Sequence, residues 1–117
     1  MMNIFVSYTT RNNEVTIHSL INFSNKISPF GKIFIDLIDN DSNDKQGRII
    51  EELKNCTLMF LIRSESILES YWVKFELHAA SKLKIPIIEF DIAELEVITE
   101  EEIQKRIQIG ISKKLFH

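Results

Sequence analysis

The sequence SYWVKFELHAASKLKIPIIEF (residues 70–90) decides the fold. Its first half spaces apolar residues as an amphipathic helix does, and PIIEF (residues 86–90) is a short apolar run of strand length. A helix followed at once by a buried strand is typical of proteins built on a parallel sheet. On a helical wheel one broad arc is apolar, and Glu76 falls near its middle. The apolar members of that arc are Leu68, Trp72, Val73, Phe75, Leu77, Ala79, Ala80 and Leu83.

A carboxylate in the middle of an apolar arc is the sharpest functional signal in the sequence. A small rotation of the helix would bring Glu76 to the rim of the arc, where a glutamate is ordinary. Its central position leaves little room for that rotation, and burying an unpaired carboxylate costs on the order of several kcal/mol. We therefore expect Glu76 to face a cleft in which a ligand or a partner needs its charge.

The rest of the chain repeats the alternation of strand and helix. Strands are predicted at residues 3–8 (NIFVSY), 32–36 (KIFID), 57–62 (TLMFLI) and 86–90, and helices at 14–27, 48–55, 70–83 and 99–111. Each strand is apolar throughout, which indicates a parallel sheet covered on both faces. The expected fold class is α/β, a flavodoxin-like doubly wound parallel sheet of four to five strands with helices on both faces. Residues 1–117 are expected to form a single domain.

The pattern also predicts which parts of these elements face the core. The second helix should turn Ile49, Ile50 and Leu53 inward, and Thr99 should cap the last helix in a capping box with Glu102. The polar stretch DNDSNDKQG (residues 39–47) should be an exposed loop. In the first helix the residues at helical spacing are Ile17, Leu20, Ile21, Ser24 and Ile27.

Composition and charge exclude several classes of protein. A formal net charge of −3 with scattered lysines and arginines indicates neither a nucleic-acid partner nor a membrane surface. No apolar run reaches membrane-spanning length. The single cysteine, Cys56, excludes an intrachain disulfide and is typical of a reducing compartment. The N-terminus leads directly into a strand, so we expect a cytoplasmic chain without a signal peptide, complete or nearly so.

The sequence gives little support to a metal site or to a phosphate-binding loop. DNDSND (residues 39–44) has alternate acidic positions like a calcium loop, but Asp44 replaces the required glycine and Ile50 replaces the closing glutamate. His18, His78 and His117 have no neighbours at metal-ligand spacing. Only three glycines occur, which excludes a Rossmann or Walker loop.

Cys56 leaves two interpretations open at this stage. Its position just before a buried strand favours a small core residue. A nucleophilic pair with a histidine is the alternative.

Four segments together resemble the Toll/interleukin-1 receptor (TIR) domain family. IFVSYTTRN (residues 4–12) is similar to its first strand and loop, and KIFIDL (residues 32–37) to its second strand. FLIRSESILESYWVKFEL (residues 60–77) is similar to its strand-to-helix motif, carried by Ser64, Ser70, Trp72, Glu76 and Leu77. IPIIEF (residues 85–90) is similar to the next strand. The resemblance covers about residues 3–91.

The resemblance implies an enzyme that cleaves NAD⁺. Many TIR domains are NAD⁺ glycohydrolases whose catalytic glutamate lies four residues after a tryptophan-type position, which Glu76 and Trp72 match. The family's substrate-binding positions correspond to Tyr8, Arg11, Phe34, Asp36 and Trp72, of which Phe34 would help to hold the dinucleotide. In a purely structural reading Phe34 is a core residue and Asp36 caps a turn.

The expected reaction is cleavage of the nicotinamide–ribose bond, giving nicotinamide and ADP-ribose or a cyclic isomer. NAD⁺ is the substrate, no cofactor or metal is implied, and the setting is bacterial immune or stress signalling. TIR enzymes commonly complete their cleft with a neighbouring protomer, so self-association or contact with other TIR domains is expected, and the dilute domain should be weakly active. The polar loop is longer and more acidic than is usual in the family.

Two alternatives belong to other classes. Non-catalytic TIR adaptors assemble signalling complexes through TIR–TIR contacts, although they often lack the glutamate. Nucleoside deoxyribosyltransferases also cleave N-glycosidic bonds with a carboxylate, but the S-x-W…E-L spacing is not theirs.

Overall fold

Four parallel strands form one sheet in the computed structural model, which describes residues 2–9, 15–64 and 70–115. The strands are β1 (Met2–Ser7), β2 (Gly31–Phe34), β3 (Leu58–Arg63) and β4 (Ile87–Asp91). They are ordered β2-β1-β3-β4, and every neighbouring pair is parallel. This is the strand order of a flavodoxin-like sheet. The predicted fold class is confirmed, with four strands in the described ranges.

Helices cover both faces of the sheet, as the apolar strands predict. They are α1 (Ile17–Ile27), α2 (Asp36–Asp39), α3 (Lys45–Asn55), α4 (Tyr71–Lys82) and α5 (Glu100–Leu115). α1 and α5 pack on one face, where the rings of Phe23, Phe60 and Phe90 meet with centroids 5.0–6.4 Å apart. α3 and α4 pack on the other face. None of the helices described is long and apolar enough to cross a membrane.

The centre of the sheet fixes the position of the site. β1 lies between β2 and β3, and its register pairs Phe5 with Phe34 on one side and Ser7 with Leu61 on the other. Side chains alternate along a strand, so Phe5 and Ser7 point to the face covered by α3 and α4. Ser7 is the last residue of β1, at the carboxyl edge where strand order reverses and where doubly wound sheets bind ligands.

Two helix faces differ from the sequence prediction. In α1 the buried residues are Leu20, Phe23 and Ile27, whereas Ile17 and Ile21 are exposed. In α3, Ile49 and Leu53 are buried as predicted, but Ile50 is exposed. Both helices are rotated because their position on the sheet, which a helical wheel does not contain, decides which flank of the apolar stripe is covered.

The polar stretch after β2 is more ordered than the predicted exposed loop. It contains the last residue of α2 and the first residues of α3, and Asn40 between them is buried. The Asn40 amide donates to Asp36 Oδ1 (2.6 Å) and to the Lys45 carbonyl (3.0 Å). Its own oxygen accepts from the Ser42 N–H. A buried amide that satisfies backbone groups can therefore fold a stretch without apolar residues.

The last helix begins where the sequence predicts. The Glu102 N–H donates to Thr99 Oγ1 (3.2 Å), as expected of an N-cap. The Glu102 carboxylate accepts from Arg106 Nε (3.2 Å). Arg106 also bonds both carboxylate oxygens of Glu94 and lies over the ring of Phe90, 5.2 Å from its centroid. This residue thereby joins α5 to β4.

Candidate active site

A cavity of about 390 Å³ opens at the carboxyl end of β1. Its walls are the segment after β1, α2, the first turns of α3 and the first half of α4. The residues that matter for chemistry are Tyr8, Asp36, Lys45, Gln46, Trp72 and Glu76. The volume lies in the range of small-ligand pockets, and the position is the one in which doubly wound sheets bind ligands.

Glu76 lies in the middle of the buried face of α4. That face consists of Val73, Glu76 and Ala80, and only 7% of Glu76 is exposed. Ser70 fixes the start of the helix, because its hydroxyl accepts from the Val73 N–H (3.3 Å). The Ser7 hydroxyl donates to Glu76 Oε1 at 2.8 Å, across 69 residues of sequence. The predicted cleft-facing carboxylate is therefore buried, lines the cavity and accepts a hydrogen bond from a neutral donor, Ser7.

The surroundings of Glu76 shift its ionisation. Burial raises the pKa of Glu76 to about 7, and the negative charge of Asp36 adds to the rise, whereas the Ser7 hydrogen bond opposes it. Glu76 has no ion pair with a cationic side chain in the part of the chain that is described. Near neutral pH the residue is therefore present in both protonation states, as a general base requires.

Tyr8 and Asp36 stand together at the wall formed by α2. The Leu37 N–H donates to the Tyr8 hydroxyl oxygen (2.9 Å), and the Asp39 carboxylate accepts from the Ile35 N–H (2.7 Å). Burial raises the pKa of Tyr8 to about 12. Its phenol therefore keeps its proton and can donate it to a ligand.

Trp72 and Lys45 complete the mouth of the cleft. Trp72 is 38% exposed, and its ring packs edge-on against Phe75 and Tyr71, with centroids 5.7 and 5.9 Å away. Lys45 is exposed, and its ammonium donates to the Asn40 carbonyl, which leaves two N–H donors. Among the described lining residues Lys45 is the only cation.

Four of the six predicted site residues line this cleft: Tyr8, Asp36, Trp72 and Glu76. Phe34 does not. It is buried against Phe5 with ring centroids 5.5 Å apart, lies under the Arg48 guanidinium and lines a second cavity of about 440 Å³ between β2 and α3. Arg11 lies outside the residues that the structure describes.

The structure adds two residues to which the sequence assigned no role in the site, Ser7 and Lys45. Ser7 had a weak signal, a hydroxyl that closes an apolar strand. Lys45 had none beyond its charge, because a lysine in a polar stretch is ordinary.

Cys56 is a core residue without the properties of a nucleophile. Its thiol is buried and donates to the Leu53 carbonyl (3.2 Å), and burial raises its pKa to about 11. A thiol with so high a pKa carries little thiolate at neutral pH. His18 and His78 are exposed, and the described residues hold no cluster of three or more potential metal ligands.

The cleft combines a carboxylate of pKa about 7, a second carboxylate, a phenol donor, an aromatic rim and one ammonium group. Two carboxylates attract a cationic group, and the ammonium attracts an anionic one. Compared with known proteins, the chain matches no protein-family model and no curated protein sequence. Function is therefore inferred from the cleft geometry and from the sequence motifs.

Proposed function

We propose that this protein is an NAD⁺ glycohydrolase of the TIR type, which cleaves the bond between the nicotinamide nitrogen and ribose C1′. The observation that carries the proposal is Glu76, a buried carboxylate that lines a cleft at the carboxyl edge of the sheet. It lies four residues after Trp72, as the family motif requires. Nicotinamide in NAD⁺ is already a good leaving group, so neither a metal nor a separate acid is needed.

The proposed reaction needs little beyond this carboxylate. When the C1′–N bond breaks, its electron pair leaves with nicotinamide, which becomes neutral, and the ribose acquires oxocarbenium character. Ionised Glu76 stabilises that positive charge. A water then bonds to C1′ and releases a proton, which a carboxylate of pKa about 7 can accept. Attack by an atom of the same molecule would give a cyclic isomer instead of ADP-ribose.

The charges of the cleft suit a molecule with one cationic end and one anionic centre. Glu76 and Asp36 favour the cationic nicotinamide ring, and Lys45 provides an ammonium group for the pyrophosphate. The exposed Trp72 ring offers a flat apolar surface for the nicotinamide or adenine. The proposed setting is bacterial immune or stress signalling in the cytoplasm, with self-association completing the cleft.

A second candidate function is a non-catalytic TIR module that assembles complexes. Exposed apolar side chains beside the cleft favour it: Leu37 is 49% exposed, Ile38 is 38% exposed and Tyr71 is 75% exposed. In that role Glu76 would serve packing alone, and its removal would change stability without ending any turnover.

The deciding measurement is nicotinamide release from NAD⁺ over a range of protein concentrations. Glu76→Gln keeps the volume of the side chain but removes its charge, and we expect turnover to fall about 10²–10³-fold. The melting temperature should stay equal or rise, because a neutral side chain costs less to bury. The matched control is Glu96→Gln, an exposed glutamate outside the cleft, which should leave turnover unchanged.

The two functions give opposite results in this assay. Equal nicotinamide release by the native protein and the Glu76 variant would remove the catalytic assignment. No release at any concentration, together with association of the protein with itself, would favour the module.

A further inference from the structure

We propose that Ser7 is a positioning residue for Glu76: its hydroxyl holds Oε1, so that Oε2 is the oxygen presented to the ligand. This role rests on the proposed function of Glu76. The contact that carries it joins the last residue of β1 to the middle of α4.

The pair is held by rigid structure on both sides. Ser7 is 1% exposed and belongs to the central strand, where its register with Leu61 of β3 is fixed by the ladder. Glu76 is held between Val73 and Ala80 on the buried face of α4. Their oxygens lie 2.8 Å apart, a good length for an O–H···O bond. A carboxylate held in this way is oriented before a ligand arrives, as an efficient active site requires.

The chemistry of the contact gives it a second effect. A serine hydroxyl has a single proton to donate, and donating it to a carboxylate favours the ionised form. The charged and titratable groups that share the cleft with Glu76 are Asp36 from α2, Tyr8 after β1 and Lys45 from α3. Burial and the negative charge of Asp36 both oppose the ionisation of Glu76. The hydrogen bond from Ser7 to Oε1 offsets part of that effect.

Ser64 provides a matched comparison. It follows β3, the strand next to β1, and its hydroxyl is buried without a hydrogen-bond partner in the described structure. Ser64→Ala therefore removes the same atom as Ser7→Ala, one strand away, and leaves the contact with Glu76 intact.

The first test is independent of turnover. The glutamate side-chain carboxyl carbons are labelled with ¹³C, the free protein is titrated by NMR, and Glu76→Gln identifies the Glu76 resonance. Ser7→Ala should raise the Glu76 pKa by about one unit, the equivalent of a hydrogen bond to a charged group. Ser64→Ala should leave the Glu76 pKa unchanged. Ser7→Thr, which keeps the hydroxyl, should show the Glu76 pKa of the native protein. If the alanine variant does not fold, Ser7→Cys takes its place in the titration. Its thiol is similar in size to the serine hydroxyl and is a weaker hydrogen-bond donor.

The second test follows kcat/KM for nicotinamide release against pH. For Ser7→Ala the inflection should move upward with the NMR value, and the plateau at high pH should fall about tenfold because the carboxylate is less well oriented. An unchanged Glu76 titration in Ser7→Ala, or an equal shift in Ser64→Ala, would overturn the inference. An NMR shift without nicotinamide release by any protein would instead overturn the proposed function and leave the coupling of the two residues standing.

Discussion

The backbone N–H of Leu37 donates a 2.9 Å hydrogen bond to the hydroxyl oxygen of Tyr8. This bond ties α2 to the segment after β1. α2 has four residues, and a helix so short has little stability of its own. The wall of the cleft that carries Asp36 is therefore held in part by the phenol of Tyr8.

Tyr8→Phe should loosen that wall without emptying the core. It removes the acceptor of the Leu37 N–H and keeps the ring, so we expect a loss of about 1 kcal/mol in the free energy of unfolding. KM for NAD⁺ should rise several-fold while kcat changes less, because the carboxylate on α4 does not move. Tyr71→Phe is the matched control, since Tyr71 is 75% exposed. Equal effects of both variants would contradict this role of Tyr8.

Lys45 should strengthen substrate binding through the phosphates of NAD⁺. Lys45→Met keeps much of the side-chain length and removes the charge, so KM for NAD⁺ should rise about tenfold with little change in kcat. KM for nicotinamide riboside, which has no phosphate, should stay the same. Lys105→Met, an exposed lysine on α5, is the control. A similar rise in KM for both substrates would show that Lys45 acts through the fold of the α2–α3 turn.

Arg106 should contribute more to stability than an exposed ion pair does. It bonds Glu94 and Glu102, donates to the Glu89 carbonyl (3.1 Å) and covers the ring of Phe90. Arg106→Ala should lower the free energy of unfolding in urea by about 2 kcal/mol, because it removes several charge-assisted bonds and a cation–π contact.

The control for Arg106 is Arg63, whose ion pair with Glu89 spans 3.3 Å and is about half exposed. Arg63→Ala should cost less than about 1 kcal/mol. If the two variants lost the same amount of stability, Arg106 would be only another surface pair.

The fold could be predicted because its two central strands, β1 and β3, are buried on both faces over most of their length. A run such as TLMFLI has no polar side to leave exposed, so the sequence alone indicates a buried parallel strand. The helix faces were less predictable. An isolated wheel shows how wide the apolar stripe of α1 is, but contacts with the sheet decided that Phe23 is buried and Ile17 is exposed.

The site could be predicted only as far as single residues carry a signal. Glu76 conflicts with its own helix face, and that conflict is visible in the sequence. Ser7 is informative only through its contact with Glu76, which joins residues far apart in the chain. Phe34 has the residue type expected of a ligand contact and lies on the sheet face covered by α3 and α4, but its ring packs against Phe5 and lines the second cavity instead of the cleft.

The stability of the protein should depend on pH through Glu76. Below about pH 4.5 the carboxyl is protonated in both the folded and the unfolded chain and contributes no difference. As pH rises from 4.5 to about 7 the unfolded chain releases the proton while the folded chain retains it. The folded state therefore loses stability over this window, by roughly 3 kcal/mol in total, and the loss is complete above pH 7.

Glu76→Gln removes this dependence, because the amide resembles the protonated acid at every pH. The measurement is the free energy of unfolding in urea for both proteins between pH 4.5 and 8. The variant's advantage over the native protein should grow by roughly 3 kcal/mol toward pH 8, while the contributions of all other groups cancel in the difference. For Glu96→Gln the same difference should be constant, because that glutamate is exposed. A constant difference for Glu76→Gln as well would mean that its carboxyl titrates as it does in water, and the cleft would then lack the burial on which its chemistry depends.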